Sequence, residues 1–385
     1  MPMIDRCGAI GATGGTDVPT QIDHVNRAGP VVPVARRGKN GGRAGVGPVV
    51  VPLSILDLVP VAAGTSATSA LEHSTRLIRR AEELGYQRFW VAEHHAMPGI
   101  ASSSPPVLIA HLAGATERIR VGSGGVMLPN HRPLVVAEQF GTLEALHPDR
   151  IDLGIGRAPG TDPKTAAALR GISAHQLGAP DDFPDQLVEL ASYFRGDADV
   201  LAVPAAGNAP AMWLLGSSGY SAQVAGMLGL PFAFAHHFSA ENTLPALKLY
   251  RENFRPSANL SEPYSMIAAS VFVADTDSAA RELAMPAALQ FLRLRLGQPG
   301  PVPSPEEVAA FEWTDQARAF VEHRQADQII GSPETVRRGV DELVRVTGVD
   351  ELMVTTSTFL GEDRLRSYEL LAETVGMTPD ARIAA

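Results

Sequence analysis

From residue 53 onward the chain alternates between two patterns: short runs that are apolar throughout, and longer stretches with apolar residues at helical spacing. Leu53–Leu58 is the first run, followed by a stretch with Leu71, Ile78 and Ala81 on one stripe. Ser69 and Glu72 have the spacing of a capping box at its start, and Gly85 ends it. The same alternation predicts strands at Arg88–Ala92, Ile119–Gly122, Ile151–Ile155, Met212–Leu215, Pro231–Ala235, Met266–Val273 and Glu351–Val354. Helices are expected over Pro105–Thr116, Pro133–Leu146, Asp185–Phe194, Ser218–Leu228, Leu244–Phe254 and Leu365–Val375, with another starting at Ser332-Pro333. Strands apolar on both faces and separated by helices belong to a parallel sheet. Eight such units over roughly 335 residues fit an α/β fold of the closed (β/α)8 TIM-like barrel type.

Two segments break the rhythm. Residues 1–48 contain ten glycines and five prolines and no periodic apolar face, so they are expected to be a disordered extension, with the barrel domain spanning 49–385. Residues 286–331 hold a Pro-rich break at Gln298–Pro305 and a capping box at Ser304-Pro305-Glu306-Glu307. They are expected to form an insertion that acts as a lid.

Of the 385 residues, 45% are hydrophobic and 19% charged, enough apolar material for a large core. Lys and Arg number 32 against 42 Asp and Glu, so nucleic acid is not an expected partner. A single cysteine, Cys7, excludes a disulfide framework and a Cys-based zinc site. No apolar run reaches the ~20 residues of a membrane span, and the expected location is cytoplasmic.

Chemistry is concentrated at the ends of the strands. Gly154-Ile155-Gly156-Arg157-Ala158-Pro159-Gly160 resembles a dinucleotide-binding fingerprint, but its third glycine is one position late and Pro159 blocks the required helix. In a barrel, these glycines and Gly124-Gly125 would instead let a flat ligand approach the backbone. Leu215-Gly216-Ser217-Ser218-Gly219 joins a strand to a helix, a pattern able to hold a phosphate on helix N–H groups and serine hydroxyls, with Arg157 as counter-charge. The same residues also fit a plain helix cap and a surface ion pair. Glu93-His94-His95 reads as a polar loop, a proton-handling histidine or part of a metal site. Metal is not the expectation, because the first strand lacks the His-x-His pair of barrel hydrolases.

Three stretches, Phe89–His95, Arg120–His131 and Arg150–Arg157, with Leu214–Ser218 in register behind them, resemble the bacterial luciferase-like flavin monooxygenases over residues 53 to 375. The resemblance implies a barrel that binds reduced FMN at the C-terminal ends of its strands. With O2 as co-substrate, a C4a-peroxyflavin then oxygenates a small organic molecule. It implies His94 as the catalytic histidine beside the flavin ring. Gly124 and Gly125 would pack against the ring through a cis peptide bond, and Arg157, Gly216, Ser217, Ser218 and Ser221 would lie at the FMN phosphate. It also implies a separate NAD(P)H-flavin reductase, with a homodimer as a candidate assembly. The luciferase proper has a cysteine before the arginine that follows strand four; Gly156 stands there in this chain, so light emission is not expected. The alternatives are an oxidoreductase that transfers hydride from FMN or a deazaflavin without inserting oxygen, and a non-catalytic flavin-binding barrel.

Overall fold

The computed structural model describes residues 51–158, 160–172 and 182–377. The expected extension over 1–48 lies outside the described residues. The strands are β1 (Leu53–Asp57), β2 (Arg88–Val91), β3 (Arg120–Met127), β4 (Ile151–Gly156), β5 (Ala211–Gly216), β6 (Phe232–Phe234), β7 (Ser265–Val273), β8 (Ile329–Gly331) and β9 (Glu351–Thr355). The helices are α1 (Ala67–Leu84), α2 (Pro105–Gly114), α3 (Pro133–Leu146), α4 (Pro163–Arg170), α5 (Phe183–Arg195) and α6 (Gly219–Leu228), followed by α7 (Thr243–Asn253), α8 (Asp277–Arg295), α9 (Pro305–Ala310), α10 (Asp315–Gln325), α11 (Pro333–Thr347) and α12 (Gly361–Val375).

Eight parallel strands close a ring in the order β1-β2-β3-β4-β5-β6-β7-β9, with β9 pairing back onto β1. This is the expected TIM-like (β/α)8 barrel. The strands are buried on both faces because helices cover the outside and side chains fill the inside, which is why each reads as an apolar run.

The structure departs from the sequence reading in several places, among them the helices α4 and α10, which the sequence did not predict. The start of α1 is capped by Ser66, which accepts a hydrogen bond from the Ser69 N–H, so no capping box forms at Ser69 and Glu72. Strand β3 continues past Gly122 to Met127. Helix α8 runs unbroken through Pro286 deep into the expected insertion. Strand β8, three residues long, pairs with Val271–Val273 of β7 beyond the stretch that pairs with β9. The capping box at Ser304 and Glu307 is present. The insertion is fastened to the rim by a bridge from Val302 to Ala62 and by hydrogen bonds from Val302 N–H to the Val61 carbonyl and from Ala63 N–H to the Val302 carbonyl.

A charged network fills the N-terminal end of the barrel. Arg88, fully buried, donates to Asp152 at 2.8 Å and to both oxygens of Glu351 at 2.7 and 3.0 Å. Trp90, Arg120, Ser54 and Tyr264 also donate to these two carboxylates. Trp213 presents its ring to the Arg88 guanidinium, 4.7 Å away. Gly122 makes room here: a Cβ on it would stand 2.6 Å from that of Asp152 and 2.8 Å from the Trp90 indole nitrogen. Burial alone would lower the Arg88 pKa, but Glu351 and Asp152 outweigh it and hold the pKa raised.

Candidate active site

The opposite, C-terminal ends of the strands carry the expected site residues. Glu93, His94 and His95 follow β2. Glu93 is buried, and its Oε1 accepts from His95 Nε2 at 2.9 Å and from His131 Nε2 at 2.7 Å, while Oε2 accepts from the Met127 N–H at 3.1 Å. Burial would raise the Glu93 carboxyl, but these hydrogen bonds hold it below the usual carboxylate range. The Thr161 hydroxyl donates to the His95 carbonyl at 3.1 Å, so the loops after β2, β3 and β4 are tied together.

The His94 backbone is fixed by its N–H to the Ser102 carbonyl at 3.0 Å. Its imidazole Nδ1 is buried and has no hydrogen-bond partner among the described residues. Burial lowers the His94 pKa, Glu93 opposes that shift and His95 adds to it, so the ring is neutral near pH 7.

Gly124 and Gly125 lie on β3, and the peptide bond between them is cis, as the resemblance implies. Their lack of side chains has a reason inside the protein: a Cβ on Gly124 would stand 2.7 Å from Leu56 Cδ1, and one on Gly125 would stand 2.8 Å from the Gly154 carbonyl oxygen. Arg157 follows β4, and its guanidinium lies over the Tyr220 ring at 4.2 Å, bringing it to the first turn of α6. Gly216 ends β5. Ser218 is the N-cap of α6 in extended conformation but makes no side-chain capping bond, and Ser217 and Ser218 are exposed. Ser221 is buried within the first turn, where a Cβ on Gly216 would lie 2.6 Å from its own. His94, Gly124-Gly125, Arg157 and Gly216–Ser218 therefore sit on four consecutive strands of the ring, β2 to β5.

A cavity of about 150 Å³ opens beside His94, between the ends of β1, β7 and β9 and the insertion. Arg157, Gly216, Ser217, Ser218 and Ser221 do not line it; they form a separate region of the rim. Two of its lining residues were not singled out in the sequence as site residues. His237, after β6, donates from Nδ1 to the Ala268 carbonyl at 2.9 Å, which leaves Nε2 as an acceptor. Burial, helped by Arg324 and His94, pushes the His237 pKa down to about 4. Arg324 comes from α10 and stacks on Phe291 of α8 at 3.5 Å. No group of three or more His, Cys, Asp or Glu able to hold a metal occurs among the described residues, and no described helix is long and apolar enough to cross a membrane.

An eight-stranded parallel barrel with polar groups gathered at the carboxyl ends of its strands belongs to a class whose chemistry is housed at that end. The model of the luciferase-like monooxygenase family matches residues 51–351, and the chain belongs to that family. An Escherichia coli luciferase-like monooxygenase is 46% identical, covering 82% of this chain and 95% of its own length. The N-acetyl-S-alkylcysteine monooxygenase of Bacillus subtilis is 35% identical, covering 84% and 98%. The crystal structure of apo-MsnO8 superposes with a TM-score of 0.78 at 38% identity, over 86% of this chain and all of the other. The oxygenating constituent of 3,6-diketocamphane monooxygenase from Pseudomonas putida, solved in complex with FMN, shares the fold at 20% identity and a TM-score of 0.65, over 85% and 98%.

Proposed function

We propose that the chain is an FMN-dependent monooxygenase that oxygenates a small organic molecule. The supporting observation is the buried, unpartnered Nδ1 of His94, set on the same rim as Gly124-Gly125, Arg157 and the open N-terminus of α6. A buried polar atom without a partner costs free energy unless a ligand completes it. The residues fit the cofactor: the N–H groups at the start of α6, the Ser217 and Ser218 hydroxyls and the Arg157 guanidinium would hold the phosphate, with Gly216 and Ser221 shaping the turn. The ring would lie across the β3 backbone toward His94.

Reduced FMN, when bound, supplies the two electrons with which O2 delivers one atom to the substrate and the other to water. The protein's own residues govern protons and access. A neutral imidazole takes up a proton at the otherwise unpartnered Nδ1 of His94 and returns it. The Glu93 clamp on His95 and His131 holds the neighbouring loops so that His94 keeps its place. The insertion, roofing the cavity with α8 and α10, acts as the lid that keeps water away from the reacting centre.

The test is a titration with oxidised and reduced FMN and with a deazaflavin, followed by O2 consumption with NADH and a separate flavin reductase. Saturable FMN binding and substrate-dependent O2 uptake are expected. Deazaflavin binding with hydride transfer and no O2 uptake would favour the oxidoreductase reading, and binding without turnover the non-catalytic one.

A further inference from the structure

Arg324 is half-buried and lines the cavity beside His94, yet no carboxylate lies within 4.0 Å of it and no hydrogen-bond acceptor meets its guanidinium among the described residues. Its guanidinium stacks on Phe291, which covers one face and leaves the edges that carry the N–H groups for an in-plane partner. Elsewhere in the barrel, buried arginines are matched, Arg88 by Asp152 and Glu351 and Arg364 by Asp57. The charged groups acting on Arg324 through space are Arg295 and Asp327, and Asp327 is exposed and makes no ion pair with it. Burial first, then Arg295, pulls the Arg324 pKa down to about 10 against an opposing effect of Asp327, so the group stays cationic at neutral pH with no ion pair among the described residues. Although the whole chain carries a net charge of −10, among the described residues no Asp or Glu lines this cavity, whose basic groups are Arg324, His94 and His237.

We propose that the cavity binds an organic acid, with its carboxylate paired bidentately to Arg324 and its apolar body against Phe272, Phe291 and Leu294, facing His94. A planar guanidinium fixed by stacking suits a planar carboxylate. The volume, about 150 Å³, matches that of an engineered apolar cavity of about 150 Å³ that admits benzene, which sets the size of the body. The proposal names the substrate class for the monooxygenase and rests on that reading for the reaction, though not for the binding.

The experiment is calorimetric titration of the full chain, with and without FMN, using benzoate and pentanoate against benzyl alcohol and pentanol. Each acid is expected to bind saturably and at least tenfold more tightly than its alcohol. Arg324→Met should remove that preference and Arg324→Lys restore part of it, with FMN affinity unchanged in both. Equal affinity for acid and alcohol in the wild-type chain overturns the proposal, even if a variant fails to fold. Absence of acid binding overturns it as well, as does full acid affinity in Arg324→Met. Loss of FMN affinity with acid binding intact would assign Arg324 to the flavin instead, which also overturns it. Failure of FMN to bind the wild-type chain would sink the monooxygenase reading while leaving the acid result standing.

Discussion

The two mouths of the barrel bury polar groups in opposite ways. At the N-terminal mouth, Arg88, Asp152 and Glu351 complete one another, and Ser54, Trp90, Arg120 and Tyr264 occupy the remaining acceptor sites. At the C-terminal mouth, His94 Nδ1 is buried and Arg324 is stacked on Phe291, and neither has a hydrogen-bond or ion-pair partner among the described residues. The charged groups of the N-terminal mouth recover their desolvation cost within the protein, although Trp213 Nε1 beside them has no partner among the described residues; at the other mouth His94 Nδ1 recovers none. A satisfied network is structure, whereas an unsatisfied one held in place is a binding site awaiting its complement.

The largest effect should come from removing the central cation of the closed mouth. Arg88→Met leaves Glu351 buried with no cationic partner among the described residues, while Asp152 keeps Arg120, and should cost about 3–5 kcal/mol in urea-induced unfolding; a near wild-type midpoint would mean that the network is not the structural plug described. At the open mouth, His94→Ala should lower flavin-dependent O2 uptake roughly 10²- to 10⁴-fold with little change in the unfolding midpoint. A stability loss comparable to that of Arg88→Met would erase the contrast. Arg157→Ala, which removes a charge-assisted contact, should weaken FMN binding about tenfold to a hundredfold by fluorescence titration, again without unfolding the barrel.

The smallest effect concerns acid. His237 is neutral in the folded chain down to about pH 4, whereas the unfolded chain takes up this proton near its ordinary value of about 6.5. Between those values the unfolded state binds more protons, so this contribution is complete above about pH 6.5 and is lost as the pH falls toward 4. His237→Asn should flatten the fall of the melting temperature between pH 6.5 and 4.5; an unchanged slope would assign the acid sensitivity to other groups.

The barrel strands were legible because burial on both faces leaves short apolar runs that alternate with longer stretches at helical spacing; β3, with Gly122, Gly124 and Gly125, was legible only at its start. Strand β8 was not, since three residues with one partner strand carry no pattern. Helix α8, Asp277–Arg295, was not among the expected helices; it carries Pro286 within a continuous helix packed on the barrel. At the rim, Glu93-His94-His95 and the Gly216–Ser218 turn stood out as polar residues directly after apolar strands. Arg324 did not: on α10 it sits among Asp315, Arg318, Glu322 and His323, and its neighbour Phe291 is far away in sequence. Only the folded chain shows which of those charges has been turned inward.

The pairing of β9 with β1 and β7 also has a consequence for synthesis on the ribosome. Until Glu351–Thr355 has emerged, the ring stays open and both flanking strands present unpaired backbone edges. The Arg364–Asp57 bond then fastens α12, the last described helix, to the end of β1, the first described strand. A nascent chain stopped short of that point is one with two adhesive borders, and chaperone demand should peak there.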